Sequence, residues 1–233
     1  MKAQSIIQEL QLLANPDKAK LFARFFKTGK GEYGEGDLFL GVPVPLQRSI
    51  TRRYQAVSWA VLDELLGNPY HEIRLTALLI LVEQFTKNRD LEFRKSCIEF
   101  YLTHTHAINS WDLVDQTCYK LLGAWLGETD REVLYQLANS ANIWEQRIAI
   151  VSCMAFVRQG DFKDCLQIAD LLLHHSHDLI QKAVGWLLRE VGKKEKEVLV
   201  GFLDGRYRTM PRTMLRYAIE HFSKEERLKY LLK

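Results

Sequence analysis

Cysteine is scarce in this chain: Cys97, Cys118, Cys153 and Cys165 are widely spaced, with no C-x-x-C pair among them. Each sits in an apolar helical pattern, which excludes a disulfide framework or a cysteine-based zinc site and reads as four reduced core residues. No run approaches the ~18 apolar residues of a membrane span. The longest, Ala77–Val82, is at most a buried helix segment. Met1-Lys2-Ala3-Gln4-Ser5 carries no signal-peptide pattern, so cytoplasmic residence is expected. No segment alternates as a strand does, and no G-x-S-x-G, H-E-x-x-H or phosphate loop occurs. A one-sided charge is missing too: 32 basic against 29 acidic residues leave +3, so any claim of nucleic-acid binding must rest on where the arginines lie.

What is present is helix. With 47% hydrophobic and 26% charged residues in 233, a substantial core is available, read here as one domain over 1–233. Ala3–Leu13 and Lys18–Lys27 form a helical hairpin around the turn Asn15-Pro16-Asp17. Thr28–Asp37 is too glycine-rich for a helix. Its Gly29, Gly31 and Gly34 match G-x-G-x-x-G formally but follow a helix, where a dinucleotide fold needs a strand, so the match is rejected. The same loop carries Lys27 and Lys30 beside Tyr33, which fits a phosphate contact and equally a plain surface loop. An apolar extended connector, Leu38–Pro45, leads into a helix opened by Pro43 or Pro45 and bearing Arg48, Arg52 and Arg53.

From Ser58 onward, helices are predicted over Ser58–Leu66, Pro69–Thr86, Leu91–Thr103, Trp111–Leu126, Arg131–Ser140, Ile143–Arg158, Phe162–His174, Asp178–Val191, Glu195–Leu203 and Pro211–Phe222. The second helices of successive pairs look alike around Arg74, Arg147, Lys182 and Arg212, and Arg147 lies 73 residues after Arg74 and 35 before Lys182. Such intervals, a little under the ~40 to 47 of HEAT units, predict an all-α curved solenoid of HEAT-like helical hairpins with a concave basic groove. That groove would set Arg74, Arg147, Lys182 and Arg212 at equivalent heights against duplex phosphates. His104-Thr105-His106 and His174-His175-Ser176-His177 lie at helix ends without a partner in register, and no metal or cofactor is expected.

Chemistry concentrates at Asn109-Ser110-Trp111-Asp112-Leu113-Val114-Asp115, where Asn109 or Ser110 can cap a helix and Trp111 and Asp115 share a face. Val114, Cys118, Leu121 and Trp125 form the apolar stripe. Gly185, immediately before Trp186, interrupts a helix at a cost of roughly 1 kcal/mol relative to alanine, and close approach of another group would compensate.

Four blocks together resemble the AlkD-type DNA alkylation-repair glycosylases: Lys27-Thr28-Gly29 through Phe39–Pro45 with Arg48; Ser110–Asp115; Ile143-Trp144-Glu145-Gln146-Arg147; and Gln181–Glu190. The resemblance covers nearly the whole chain. It implies a catalytic cleft of Asp115, Trp111, Trp186 and Arg147. The phosphate contacts expected on the basic groove are Lys27, Lys30, Arg48, Arg52, Arg74, Lys182, Arg189 and Arg212. Phe25 stands beside the lesion where some members carry a tyrosine; it can stack but not donate a hydrogen bond. The expected partner is duplex DNA containing alkylated bases, bound by a monomer that joins the bacterial nucleoid when on DNA. The expected activity is monofunctional release of cationic N3- and N7-alkylpurines, which the family performs without flipping the base. The alternatives are a catalytically inactive HEAT-repeat protein that binds damaged, bent or branched DNA, and a protein-interaction solenoid.

Overall fold

The computed structural model describes residues 2–127 and 130–232. They form two compact units, residues 1–117 and 118–233. Among the described residues the secondary structure is helical throughout, the sole strand-like pairing being an isolated bridge between Leu38 and Tyr70. None of these helices is long and apolar enough to cross a membrane.

The first unit holds α1 (Ala3–Leu12), α2 (Pro16–Phe25), α3 (Val44–Arg53), α4 (Trp59–Leu66), α5 (His71–Lys87), α6 (Leu91–Thr103) and α7 (Trp111–Asp115). Asn15 caps α2 by accepting from the Lys18 amide at 3.0 Å, with Pro16 in the first turn, where its missing N–H is harmless. Asp90 caps α6 in the same way through the Phe93 amide, at 2.7 Å. α5 is the axis of this unit: every residue from His71 to Val82 is buried, with α3 and α4 packed against it. Ile73, Leu78 and Ile80 are wholly enclosed, each contributing roughly 1.5–3 kcal/mol of burial. His71, Glu72 and Arg74 share that enclosure and need internal partners.

The second unit begins with a π-type turn, Tyr119–Gly123, and continues through α8 (Glu132–Ala138), α9 (Ile143–Ser152), α10 (Met154–Val157), α11 (Lys163–Leu171), α12 (Asp178–Lys194), α13 (Lys196–Leu203), α14 (Arg212–Ala218) and α15 (Lys224–Leu231). α8 pairs with α9 and α13 with α12, while α9, α12 and α14 pack in series, so the second helices of successive pairs form a layer, as helical-hairpin repeats require. Gly185 is what lets α14 in. A methyl group there would stand 2.5 Å from the Met214 carbonyl oxygen and 2.6 Å from Tyr217 Cβ.

Two predicted helices are divided, and one helix was not predicted. The helix expected over Trp111–Leu126 stops at Asp115: the Thr117 amide turns to the Val114 carbonyl at 3.0 Å, three residues back, and the Gly123 amide then reaches the Cys118 carbonyl, five residues back. Ile143–Arg158 divides into α9 and α10 at Cys153. α15 was not predicted at all, although Ser223 and Glu226 close a full capping box at its start. The four cysteines are free and buried.

Candidate active site

The buried charges of α5 organise the first unit's site. His71 is 2% exposed and lies between two carboxylates, with Nδ1 3.1 Å from Asp37 Oδ2 and Nε2 2.8 Å from Asp112 Oδ2. Burial alone would lower the imidazole's pKa, but Asp112 and then Asp37 outweigh it and raise the pKa to about 9, so the ring is an imidazolium at neutral pH. Asp37 also accepts from Arg74 Nη2 at 2.8 Å and Asn109 Nδ2 at 2.9 Å. Burial pushes its pKa up, yet these donors and His71 prevail and hold the carboxyl below its ordinary range. Glu72, 1% exposed, accepts from the backbone amides of Leu40, Gly41 and Val42 at 2.9, 2.8 and 3.2 Å. The extended connector is thereby fixed to α5, and Asp112 fixes the first turn of α7.

Aromatic rings continue the arrangement. Phe39 stacks on His71 at 4.7 Å and on Phe26 at 5.1 Å, and Phe26 stacks on Trp111 at 5.2 Å with planes 20° apart. Phe25 meets Trp111 edge-on at 5.8 Å and is 64% exposed. The Trp111 indole N–H donates to the Tyr33 hydroxyl at 3.2 Å, so the glycine-rich loop supplies beside Trp111 the hydroxyl that Phe25 lacks. Trp111 and Asp115 stand four residues apart on α7, both half-buried. Just beyond them Arg48 Nη2 donates to Gln116 Oε1 at 2.8 Å. Ser110 is the N-cap residue, but its side chain makes no capping bond, while Asn109 is held by Asp37 and Arg74.

The first unit thus sets Phe25 against Trp111, with Asp115 one helical turn further on and Arg48 bonded to the next residue, Gln116, while Lys27, Lys30 and Arg52 are exposed. Lys27 takes a left-handed backbone conformation, φ 52°, where the chain leaves α2. Trp186 and Arg147 belong to the second unit. Trp186 is half-buried on α12, directly after Gly185.

The expected ladder of groove-facing cations is corrected at several rungs. Arg74 is 5% exposed and bonds the carbonyls of Asn68 and Pro69 at 3.0 and 3.1 Å, besides Asp37 and Asn109. Arg147 is also 5% exposed and donates to the Leu179 carbonyl at 2.6 Å, which anchors the start of the helix carrying Trp186 and leaves little of the guanidinium for a phosphate. Arg212 donates to the Leu231 carbonyl at 2.7 Å at the end of α15. These arginines recur in the sequence because each ties its helix to neighbouring backbone. Arg189 is paired with Glu190 and Glu220. Lys182 binds Asp178 at 2.8 Å one turn back and stays 39% exposed. His104 has a carboxylate partner that the sequence did not reveal, with Nε2 2.9 Å from Asp63 Oδ1. Among the described residues no group of three or more His, Cys, Asp or Glu is placed to hold a metal ion.

Sequence reading missed His71, Asp37 and Phe26, and assigned no role to Asp112. An acidic and two basic side chains within the apolar run His71–Val82 were the available signal.

Among solved structures, one described as a predicted DNA alkylation repair enzyme from Enterococcus faecalis superposes with a TM-score of 0.69 at 16% identity, covering 91% of this chain and 97% of that one. It shares the fold. Comparison with curated proteins gives no match. The sequence pattern of the family described as DNA alkylation repair enzyme matches residues 6–222, and the chain belongs to that family.

Proposed function

We propose that the chain is a monofunctional DNA glycosylase that hydrolyses the N-glycosidic bond of cationic N3- and N7-alkylated purines in duplex DNA. An alkylated purine already carries positive charge, so it leaves without a general acid, and the sugar left behind has oxocarbenium character. The observation that carries the reading is a half-buried carboxylate, Asp115, one helical turn from the half-buried indole of Trp111, with Arg48 bonded to the next residue, Gln116. A carboxylate there stabilises the cationic sugar and orients water toward the anomeric carbon. The π face of Trp111 favours the electron-poor sugar or base by ~0.5 to 2 kcal/mol. Arg147 acts through α12 by holding Leu179. Lys27, Lys30, Arg48 and Arg52 of the first unit, and Lys182 of the second, contact phosphates. Because the lesion brings its own charge, enclosing the base in a pocket is not a chemical requirement.

The test is base release from methylated duplex DNA. Asp115→Asn is expected to keep DNA affinity and abolish release of 7-methylguanine; full release by that variant removes Asp115 from the mechanism. A second reading, an inactive binder of damaged or branched DNA, is favoured by Phe25, which has no hydroxyl to offer a lesion. Binding by the wild-type protein with no release at excess enzyme would select it.

A further inference from the structure

Beside the Trp111 cluster the first unit contains a cavity of about 320 Å³. Its walls are Phe22, Phe25, Phe26, Phe39, Pro43 and Pro45, and its polar lining consists of Gln47, His71, Glu72 and Asp112. We propose that this cavity is a binding site for a free, planar heteroaromatic amine of nucleobase size.

Size and shape come first. An apolar cavity of roughly 150 Å³ accommodates one benzene ring, so this one has room for a fused bicycle. Rings on several sides favour a flat π system over an aliphatic one, since offset and edge-on aromatic pairs each add roughly 0.5–1.5 kcal/mol beyond burial.

Hydrogen-bond polarity comes second. The donors in the lining are already used: both His71 nitrogens face carboxylates, and Gln47 Nε2 donates to the Val42 carbonyl at 2.7 Å. Acceptors are left over. Gln47 is 2% exposed, and its Oε1 has no hydrogen-bond partner among the described residues. Among the described residues Asp112 Oδ1 takes only the Leu113 amide and Glu72 Oε2 only that of Leu40, where a carboxylate oxygen has room for two donors. A buried acceptor without a partner is destabilising, and a ligand N–H that reaches it gains what the folded chain lacks. The cavity therefore selects a flat ring that presents N–H groups. It needs no DNA and does not depend on glycosylase activity, so the occupant can come from the free nucleobase pool or from a base released by repair.

Isothermal titration of the full-length protein without DNA tests this with adenine, 3-methyladenine and 9-methylpurine, a flat bicycle that has no N–H. Saturable one-to-one binding of adenine or 3-methyladenine is expected, about tenfold tighter than 9-methylpurine, the worth of one good hydrogen bond. The tighter of the two amines identifies the source. Gln47→Leu should remove that advantage and leave 9-methylpurine unchanged, while Val44→Phe, which fills the cavity, should abolish binding of all three; circular dichroism checks that both variants fold. No saturable binding to the wild-type protein, equal affinity for adenine and 9-methylpurine, or undiminished binding to folded Val44→Phe would each overturn the proposal. Base release from methylated DNA, assayed separately, is free to succeed or fail without altering these outcomes.

Discussion

The charge on His71 makes stability fall with rising pH in a defined window. The folded-state pKa of about 9 lies above the ordinary 6.5 because Asp112 and Asp37 outweigh the opposing effect of burial. Below about pH 6.5 folded and unfolded chains both carry the proton, and the contribution of the imidazolium is fully present. Between that pH and about 9 only the folded chain holds it, so stability declines by about 1.4 kcal/mol per pH unit, about 3 kcal/mol in all. Above about 9 the contribution is gone. Urea denaturation at intervals from about pH 6 to 9.5, for the wild-type protein and His71→Gln, reads the difference directly. The variant starts several kcal/mol less stable, since it leaves the buried Asp112 carboxylate without its cation, while Asp37 keeps Arg74. It should show a shallower decline across the window. The Cys97 thiol, pushed up to about 11 mainly by burial, does not ionise in the folded chain within this range. Equal slopes in the two proteins, or a His71 ring resonance that titrates near 6.5, would refute the account.

Gly185→Ala should destabilise the second unit by roughly 1–3 kcal/mol, seen as a lower urea midpoint, because the new methyl collides with the Met214 carbonyl. Glu72→Gln turns one acceptor oxygen into a donor facing the amides of residues 40–42 and should cost roughly 1.5–3 kcal/mol on the same measurement. In salt titrations of duplex DNA binding, replacing both Lys27 and Lys30 by alanine should reduce the slope of log affinity against log salt by about 2. Arg212→Ala should leave that slope unchanged while lowering the melting temperature, since its guanidinium is engaged by the end of α15. An equal loss of slope in Arg212→Ala would restore this residue to the DNA contacts.

Helix content, the layer of second helices and the buried thiols were legible because each depends on local periodicity, and a 3.6-residue stripe is present in the chain before it folds. The close approach at Gly185 was legible for a related reason: a helical glycine followed by Trp186 has to be compensated from outside. The break after Asp115 was not, because the apolar stripe runs on through Cys118 and Leu121 while the backbone bonds shift from three residues back at Thr117 to five back at Gly123. At Arg74, Arg147 and Arg212 the sequence displayed the repeat correctly but not its direction; whether a cation faces solvent or a neighbouring carbonyl is settled by tertiary contacts 5 to 35 residues away. His71 is the extreme case, with partners 34 and 41 positions distant and no sequence periodicity linking them.

Burying Asp37, His71, Glu72, Arg74 and Asp112 together is a poor way to gain stability, since well-packed apolar side chains of similar volume often do as well or better. What apolar replacements would not reproduce is direction. His71 has a fixed pair of acceptors, Glu72 a fixed trio of amides and Arg74 a fixed fork, so the connector, α5 and the first turn of α7 meet in one register. Trp111 follows Asp112 directly, and its ring lies on Phe26, which in turn lies on Phe39 and so on the imidazolium itself. The pose of the indole, on the short helix that also carries Asp115, is thus tied to a charge network in the core as well as to the Tyr33 hydroxyl. A catalytic carboxylate gains from such rigidity, because a reacting group displaced by about 1 Å can lose 10²-fold in rate.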